Sequence, residues 1–194
     1  MIFIIFAFGI RTSSFQTFLA QTVASYLSSE LNTEVRIDKV DIVFFDLVNI
    51  EGVYVEDKIK DTLLYSELIH VDIADFSLRN AFIEIDEVDL TNADVNIKKF
   101  KGDSTFNFQH FIDYFASEDK DTTTSDFRVS VNTLGLNNVN FVYQDQNKTF
   151  LENGMDYANL GVQNLSGEFS NFSMEGGEIR VKISDLHFKE RSGL

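Results

Sequence analysis

One spacing of apolar positions recurs along the chain: apolar, any, apolar, any, any, apolar, any, apolar. Its copies are Val35-Ile37-Val40-Ile42, Ile83-Ile85-Val88-Leu90, Val129-Val131-Leu134-Leu136 and Val181-Ile183-Leu186-Phe188. They begin at residues 35, 83, 129 and 181, so the pattern repeats about every 48 residues. Side chains two apart share one face of a strand, and a period of this size is typical of stacked supersecondary units. The chain is therefore predicted to be mainly β, with strand pairs repeating about every 48 residues.

Each repeat is predicted to contain two neighbouring strands. The predicted pairs are 35–45 with 49–56, 82–90 with 93–100, and 128–136 with 139–143, and a strand at 68–78 carries a further copy of the pattern. Asn92 and Asn138 stand where the second and third pairs would turn, because Asn tolerates left-handed backbone geometry. The two unconstrained positions inside each copy predict a bulge or bend at Asp86-Glu87 and its equivalents. Such bends would curl the sheet into a U-shaped, repetitive β-groove spanning 34–194.

The first ten residues are almost wholly apolar. Ten helical residues span about 15 Å, roughly half of a bilayer core. We expect residues 1–11 to be part of a membrane anchor that begins before this sequence; a short signal remnant and a core helix are the alternatives. The anchor residues would be Ile2, Phe3, Ile4, Ile5, Phe6, Phe8 and Ile10.

Two amphipathic helices are predicted. In the first, at 12–33, apolar residues from Phe15 to Leu31 follow helical spacing. Its Phe-rich stripe could lie on a membrane surface or cap the open end of the first β-unit; we favour capping, because the helix has no basic face. The second helix, at 104–116, has Ser104 as its expected N-cap. The polar segment 117–126 after it is expected to be a flexible loop.

The alternate apolar residues of the central strands are the candidate binding residues. A sheet curled with these residues inward would enclose a trough for hydrocarbon tails, and the alternative is a closed core between two sheets or against the helices. The predicted lining residues are Ile83, Ile85, Val88, Leu90, Val95, Ile97, Val129, Val131, Leu134, Leu136, Phe141 and Tyr143.

Composition and charge narrow the functional classes. The net charge of −15 argues against binding to nucleic acid or to anionic headgroups. Cysteine is absent, and the three histidines lie far apart without the spacing of metal ligands. No nucleophile elbow, phosphate-binding loop or dinucleotide fingerprint occurs. The sequence therefore predicts a protein that is not an enzyme and that needs no metal or cofactor.

Several short motifs in the first 115 residues resemble a known family. They are FQTFLAQ at 15–21, SYLSSELNTEV at 25–35, KVDI at 39–42, FFD at 44–46, GVYVED at 52–57, KDTLLY at 60–65, GDSTFNFQ at 102–109 and FID at 111–113. Together they resemble the beginning of TamB-type members of the AsmA-like family of bridge-like lipid transfer proteins, in a form associated with Bacteroidetes-type bacteria. Beyond residue 115 only the repeat pattern is similar.

The resemblance implies a function in the envelope of a Gram-negative bacterium. It implies an inner-membrane protein with one N-terminal anchor and a periplasmic body that carries phospholipids toward the outer membrane. It also implies an Omp85-type outer-membrane partner, contacted through a C-terminal region beyond this sequence. We expect the chain to continue after Leu194, because a repeat array normally ends in a polar cap.

Two other functions compete with lipid transport. One is a non-conducting β-repeat scaffold that links envelope partners and buries its own apolar face. The other is an adhesin or polysaccharide-active β-solenoid, which the long repeat disfavours because the coils of such solenoids are shorter.

Overall fold

The computed structural model describes residues 12–43, 46–77, 82–117, 128–151, 154–175 and 178–190. The predicted membrane anchor at 1–11 lies outside these residues, and so does the predicted loop from 118 to 126. The described part of the chain is mainly β with two helices, which confirms the predicted class.

Ten elements follow one another in the described residues. They are α1 (Ser13–Leu31), β1 (Val35–Arg36), β2 (Lys39–Val43), β3 (Leu47–Glu56), β4 (Thr62–Ser77), β5 (Phe82–Lys99), α2 (Gln109–Ser117), β6 (Arg128–Asp145), β7 (Asn159–Glu175) and β8 (Glu178–Glu190).

The strands form one open, curled sheet. Its order is β1-β3-β4-β5-β6-β7-β8, and β2 also pairs with β3 beside β1. Every neighbouring pair among the described strands is antiparallel except β5 and β6, which are parallel. The sheet does not close on itself, so β1 and β2 lie at one edge and β8 at the other.

The second and third predicted strand pairs are wrong. Residues 82–90 and 93–100 belong to one strand, β5, and residues 128–136 and 139–143 belong to β6. A two-residue hairpin of type I′ needs positive φ at both central positions. Here φ is positive only at Asn92 and Asn138, one residue in each strand, so the chain kinks and continues instead of reversing. The first predicted pair is present, because β1 and β2 both run antiparallel to β3.

The second and third copies of the apolar pattern lie side by side on β5 and β6. Val88 pairs with Leu134 and Leu90 with Leu136, so partners on the two strands are 46 residues apart. Parallel neighbours need a crossover connection, and the connection here contains α2. The similar segments are therefore in register on adjacent strands, and not in two separate hairpins.

A row of left-handed residues crosses the sheet. Gly52 on β3, Asn92 on β5, Asn138 on β6 and Asn164 on β7 have φ values of 65°, 50°, 57° and 52°. Gly52, Asn92 and Asn138 occupy corresponding positions in the strand register, and Asn164 lies two residues before the register partner of Asn138 but bonds to its side chain; we call the four the left-handed row. One left-handed residue inside a strand displaces the alternation of faces and bends the strand. The row therefore marks a line across the sheet at which β3, β5, β6 and β7 bend.

A second irregularity lies where the pattern predicts a bulge. Glu87 pairs with Asp72 and Ile85 with Ile73, so Asp86 is left without a partner position on β4. At the equivalent point of the first copy, Ile37 and Asp38 separate β1 from β2, although the Asp38 amide still donates to the Glu51 carbonyl on β3.

The polar side of α1 packs on the free edge of β1 and β2. The hydroxyl of Thr17 donates to the carbonyl of Val40 (3.1 Å) and accepts from its amide (2.9 Å). Ser28 makes the same two bonds with Val35, at 2.9 and 2.8 Å. Further bonds run from Ser13 to Val40, from the Ile42 amide to Gln16, and from Gln21 to Ile37 and Asp38. The helix thus caps the first β-unit, as favoured above, but with its polar face and not with its Phe-rich stripe.

The second helix begins later than predicted. It runs over Gln109–Ser117, and Ser104 is not its first residue. Asn107 explains the delay: its side chain and backbone both bond to the backbone of Lys98, which holds the preceding segment against β5.

Few large apolar side chains are fully buried in the described residues. The buried hydrophobic set is Ala24, Val40, Val53, Leu63, Ala93, Val139 and Val162. Three of these, Val53, Ala93 and Val139, each follow a residue of the left-handed row. The core is therefore a thin line of small side chains, and the larger apolar residues of the sheet remain partly exposed.

Candidate functional site

The predicted lining residues lie opposite one another in six rungs of β5 and β6. The rungs are Ile83–Val129, Ile85–Val131, Val88–Leu134, Leu90–Leu136, Val95–Phe141 and Ile97–Tyr143. Residues in register on parallel neighbours point to the same side of a sheet. Within β5, the bulge at Asp86 and the left-handed Asn92 each shift by one residue the set of side chains that points to a given side. The rungs after each irregularity therefore point to the same side of the sheet as the rungs before it. We call this side the apolar face.

The apolar face is half-buried. Each predicted lining residue whose side chain is described is neither buried nor fully exposed; the side chain of Val129 lies outside the described residues. A closed core would bury the central rungs, as in protein interiors generally. The described rungs therefore keep a part of their surface uncovered.

The apolar face extends onto β4 and β7, beyond the predicted set. On β4, Ile69 pairs with Leu90, Val71 with Val88 and Ile73 with Ile85. On β7, the partners of the β6 lining residues include Leu160, Val162 and Phe169. The β4 residues could have been found from the sequence, since Val71 and Ile73 begin another copy of the apolar pattern.

One end of the apolar face is covered by an aromatic cluster. Phe106 lies 6.1 Å from Tyr143 between ring centroids and stacks on Phe108 at 5.4 Å. The ammonium of Lys99 lies 5.0 Å from the centre of the Phe106 ring, within the range of a cation–π contact. Tyr143, predicted as an open lining residue, is thus partly covered by the segment before α2.

Buried polar groups hold this aromatic cluster in place. The amide of Asn107 donates to the carboxylate of Asp57 (3.1 Å) and to the carbonyl of Asn96 (3.0 Å). Asp57 is completely buried and also accepts the backbone amides of Ile59 and Asp61, both at 3.0 Å. A buried carboxylate needs such bonds to offset its desolvation. The β3–β4 turn and the segment before α2 are therefore tied together at this end.

His110 is the buried titratable group beside this cluster. Its ring packs on Phe111 at 4.2 Å, and neither ring nitrogen has a hydrogen-bond partner among the described residues. Burial lowers the pKa of His110 below its ordinary value of 6.5, and the charge of Lys58 adds to this effect. The imidazole is therefore neutral at pH 7.

The opposite, polar face carries a row of acids. Asp89 lies beside Gly135, where an added Cβ atom would meet the Asp89 carboxylate, so a larger residue at 135 would require that side chain to move. The charge of Asp89, followed by burial and the charge of Glu168, raises the pKa of Glu87. No group of three or more metal-ligating side chains occurs among residues 12–43, 46–77, 82–117 and the later described segments.

Two cavities open among polar side chains of the sheet, and each also has apolar lining, Val142 and Val162 in the first and Leu136 in the second. One of about 310 Å³ is lined by Asp94, Asn96 and Asn140, and in it the Asn140 amide donates to Asp94 at 2.8 Å. Another of about 440 Å³ is lined by Glu87, Asp89 and Glu168. Side chains that bond or repel one another in this way leave little for a ligand, so the apolar face is the better candidate.

Comparison with known proteins gave no relative. No family model, no curated protein and no solved structure matches this chain. In the part of the chain that the structure describes, neither helix combines the length and apolar character required to cross a membrane.

Proposed function

We propose that this chain is a segment of a lipid-carrying groove, in which the apolar face holds the acyl chains of phospholipids. The observation that carries the proposal is the row of partly exposed apolar side chains on β4, β5 and β6, which continues onto Leu160 and Phe169 of β7. An exposed apolar area of this kind is typical of a binding surface for an apolar partner.

The energetics of hydrocarbon transfer support this choice of ligand. Keeping one methylene group out of water is worth about 0.8 kcal/mol, so a chain of about 16 carbons gains on the order of 12 kcal/mol when fully covered. The gain is spread over many rungs, and no single rung binds strongly. A lipid could therefore slide along the face while its headgroup stays in solvent.

The cellular setting comes from the resemblance to TamB-type proteins. We propose that the chain belongs to an inner-membrane protein whose body crosses the periplasm of a Gram-negative bacterium and carries phospholipids toward the outer membrane. An outer-membrane partner of the Omp85 type would be contacted by another region of the protein. This role requires neither an active site nor a cofactor.

A second candidate function is a scaffold without lipid. The aromatic cluster over Tyr143 and the line of buried small residues beside the left-handed row favour it, since both fill parts of the apolar face. A scaffold would link envelope partners and would complete the cover of the face with neighbouring segments.

Site-specific photo-crosslinking separates the two functions. A benzophenone side chain replaces Val131 on the apolar face or, as the control, Ser130, the exposed neighbour on the opposite face of β6. Protein purified from bacterial membranes without detergent is irradiated and analysed by mass spectrometry. Lipid adducts at 131 and not at 130 support a groove, and equal or absent adducts contradict it.

A buried charge provides the second test. Val131→Asp should abolish the lipid adducts formed from a probe at Leu136 while the far-UV circular dichroism stays native, because an open face lets the carboxylate reach water. Ser130→Asp is the matched control and should keep the adducts. Unfolding of Val131→Asp alone would favour the scaffold, because a charge in a closed core is strongly destabilising.

A further inference from the structure

The outward side of α1 carries several large apolar residues, beside the exposed polar residues Thr22 and Glu30. Phe18, Leu19, Val23 and Tyr26 are 62, 48, 58 and 55 % exposed, whereas Gln16 and Ala24 on the inner side are buried. Amphipathic helices of soluble domains normally place the apolar side inward. In α1 the arrangement is reversed, because the hydroxyl and amide side chains are engaged by the edge of β1 and β2. We call the four exposed residues the outer stripe.

The reversed arrangement is locked by hydrogen bonds. Thr17, Gln21 and Ser28 hold the inner side on the strand edge along more than two turns of the helix. Rolling the helix to bury the outer stripe would break these bonds and leave backbone groups of Val35 and Val40 unpaired, which is unfavourable. The outer stripe is therefore presented away from the sheet and is available for an apolar partner.

We propose that the outer stripe of α1 lies in the surface of a lipid bilayer with electrically neutral headgroups. The apolar run from Ile2 to Ile10 precedes the helix by two residues, so the stripe continues an apolar stretch of sequence. Phe and Tyr are suited to the membrane interface, where one end of the ring is apolar and the other is wet.

Charge determines which surface is favoured. Glu30 is the one charged residue of α1, and the whole chain has a net charge of −15. Anionic headgroups would repel this chain, whereas zwitterionic headgroups would not. The same charge opposes the alternative occupant, a second copy of the chain, because the pairing of two outer stripes would bring two strongly acidic molecules together. The inference adds a membrane-contact surface to the proposed function and does not require lipid on the apolar face.

Single-cysteine labelling tests the proposal directly, since the chain has no native cysteine. An environment-sensitive fluorophore is attached at Val23→Cys, at its exposed polar neighbour Ser25→Cys, and at Lys182→Cys on β8. The complete chain is mixed with phosphatidylcholine vesicles that carry spin-labelled acyl chains. Quenching is expected to be strong at position 23, weaker at 25 and minimal at 182. Positions 23 and 25 lie two residues apart on the same helix, so binding through residues 1–11 alone would quench labels at these two positions about equally.

Three results would overturn the proposal. The first is quenching at position 25 or at position 182 that is as strong as at position 23. The second is a blue shift at position 23 that grows with protein concentration in the absence of vesicles, which would show a second copy on the stripe. The third is stronger quenching at position 23 when phosphatidylglycerol replaces part of the phosphatidylcholine, because neutral lipid would then not be preferred.

A variant pair measures the contribution of the stripe. Phe18→Ser with Val23→Ser should lower the quenching of a label at Leu19→Cys roughly tenfold at limiting lipid, because two apolar side chains no longer enter the interface. Ser14→Ala with Ser25→Ala, on exposed polar positions of α1, is the control and should change it little. Val131→Asp, which tests the proposed groove, should leave the quenching unchanged, so the two proposals fail separately.

Discussion

At the scale of single residues, the left-handed row is held together by its side chains. The Asn138 amide donates to the Asn92 side-chain oxygen at 2.7 Å, and the Asn164 amide donates to Asn138 at 2.7 Å. Asn92 in turn donates to Glu67 on β4 at 2.6 Å. Asn therefore suits these positions for two reasons: it tolerates positive φ, and its side-chain amide continues a ladder of hydrogen bonds across the strands.

Substitution of Asn138 should separate these two contributions. Asn138→Ala is expected to lower the free energy of unfolding by about 2 kcal/mol, through the left-handed penalty and the lost hydrogen bonds. Asn138→Gly should lose about 1 kcal/mol, since it keeps the backbone freedom. Urea unfolding measures both. Asn137→Ala, at an exposed neighbour without positive φ, is the control and should be close to wild type. Equal losses for Ala and Gly would mean that the left-handed geometry carries no cost.

The pKa of His110 predicts how stability depends on pH. Because the folded-state pKa lies below 6.5, the unfolded chain binds a proton more readily. The stability that is present above pH 6.5 should therefore be lost as the pH falls from 6.5 through the lower folded-state pKa. His110→Phe should reduce this loss, measured as the change in unfolding free energy between pH 7.5 and pH 5. The same pH dependence in both proteins would exclude His110 as its source.

At the scale of elements, α1 covers a strand edge with hydroxyl and amide groups. An unpaired edge presents backbone donors and acceptors, which favours polar contacts over apolar ones. The apolar spacing of 12–33 predicted the helix, and the lack of a basic face favoured a capping role; the usual rule for amphipathic helices, however, placed the Phe-rich stripe at the contact. A stripe of Ser13, Thr17, Gln21 and Ser28 at helical spacing was the available signal.

Replacing one hydroxyl of this contact should destabilise the helix–edge interface. Thr17→Val keeps the shape but removes both bonds to the buried Val40, and we expect a loss of about 1–2 kcal/mol in unfolding free energy. Thr22→Val is the matched control, because the Thr22 hydroxyl bonds only to Phe18 of the same helix and is exposed. A loss in Thr22→Val as large as in Thr17→Val would contradict the role of the edge bonds.

Strand pairing was the part of the fold that the sequence left open. The β class and the apolar positions follow from local spacing, because the side chains of a strand alternate between two faces and this alternation is visible in the sequence. A pattern repeated after 46 residues is satisfied equally by two hairpins and by two parallel strands. Asn92 and Asn138 favoured the hairpins, because Asn is common in turns. Whether the chain turns or only kinks at these residues is decided by which strands pair, and pairing between distant segments cannot be read from local spacing.

At the scale of the whole molecule, the acidic residues gather on the polar face, where their mutual repulsion destabilises the folded state. Glu87 faces Asp89 on its own strand, Asp72 on β4 and Glu168 on β7. Like charges at this range destabilise the folded state and are weakened by salt. The polar face therefore favours solubility at some cost in stability.

Neutralising Glu87 should recover part of this cost. The folded-state pKa of Glu87 is raised above 4.5, so the folded protein binds this proton more tightly than the unfolded chain does. The free energy of unfolding therefore falls as the pH rises from 4.5 through the raised pKa. Glu87→Gln should therefore be more stable than wild type at pH 7, by about 0.5 kcal/mol at low salt. The gain should shrink in 1 M salt and vanish below pH 4.5. Glu84→Gln, at an exposed position of β5, is the control. A gain that persists at low pH would show that charge is not its cause.

The single parallel junction between β5 and β6 has a consequence for how the chain assembles. The strands before it are joined by short connections, whereas every β5–β6 partner is 46 residues distant, so closing this junction costs the most loop entropy. The antiparallel strands β1–β5 and the antiparallel strands β6–β8 should therefore form first, and the two groups should pair with each other later in folding.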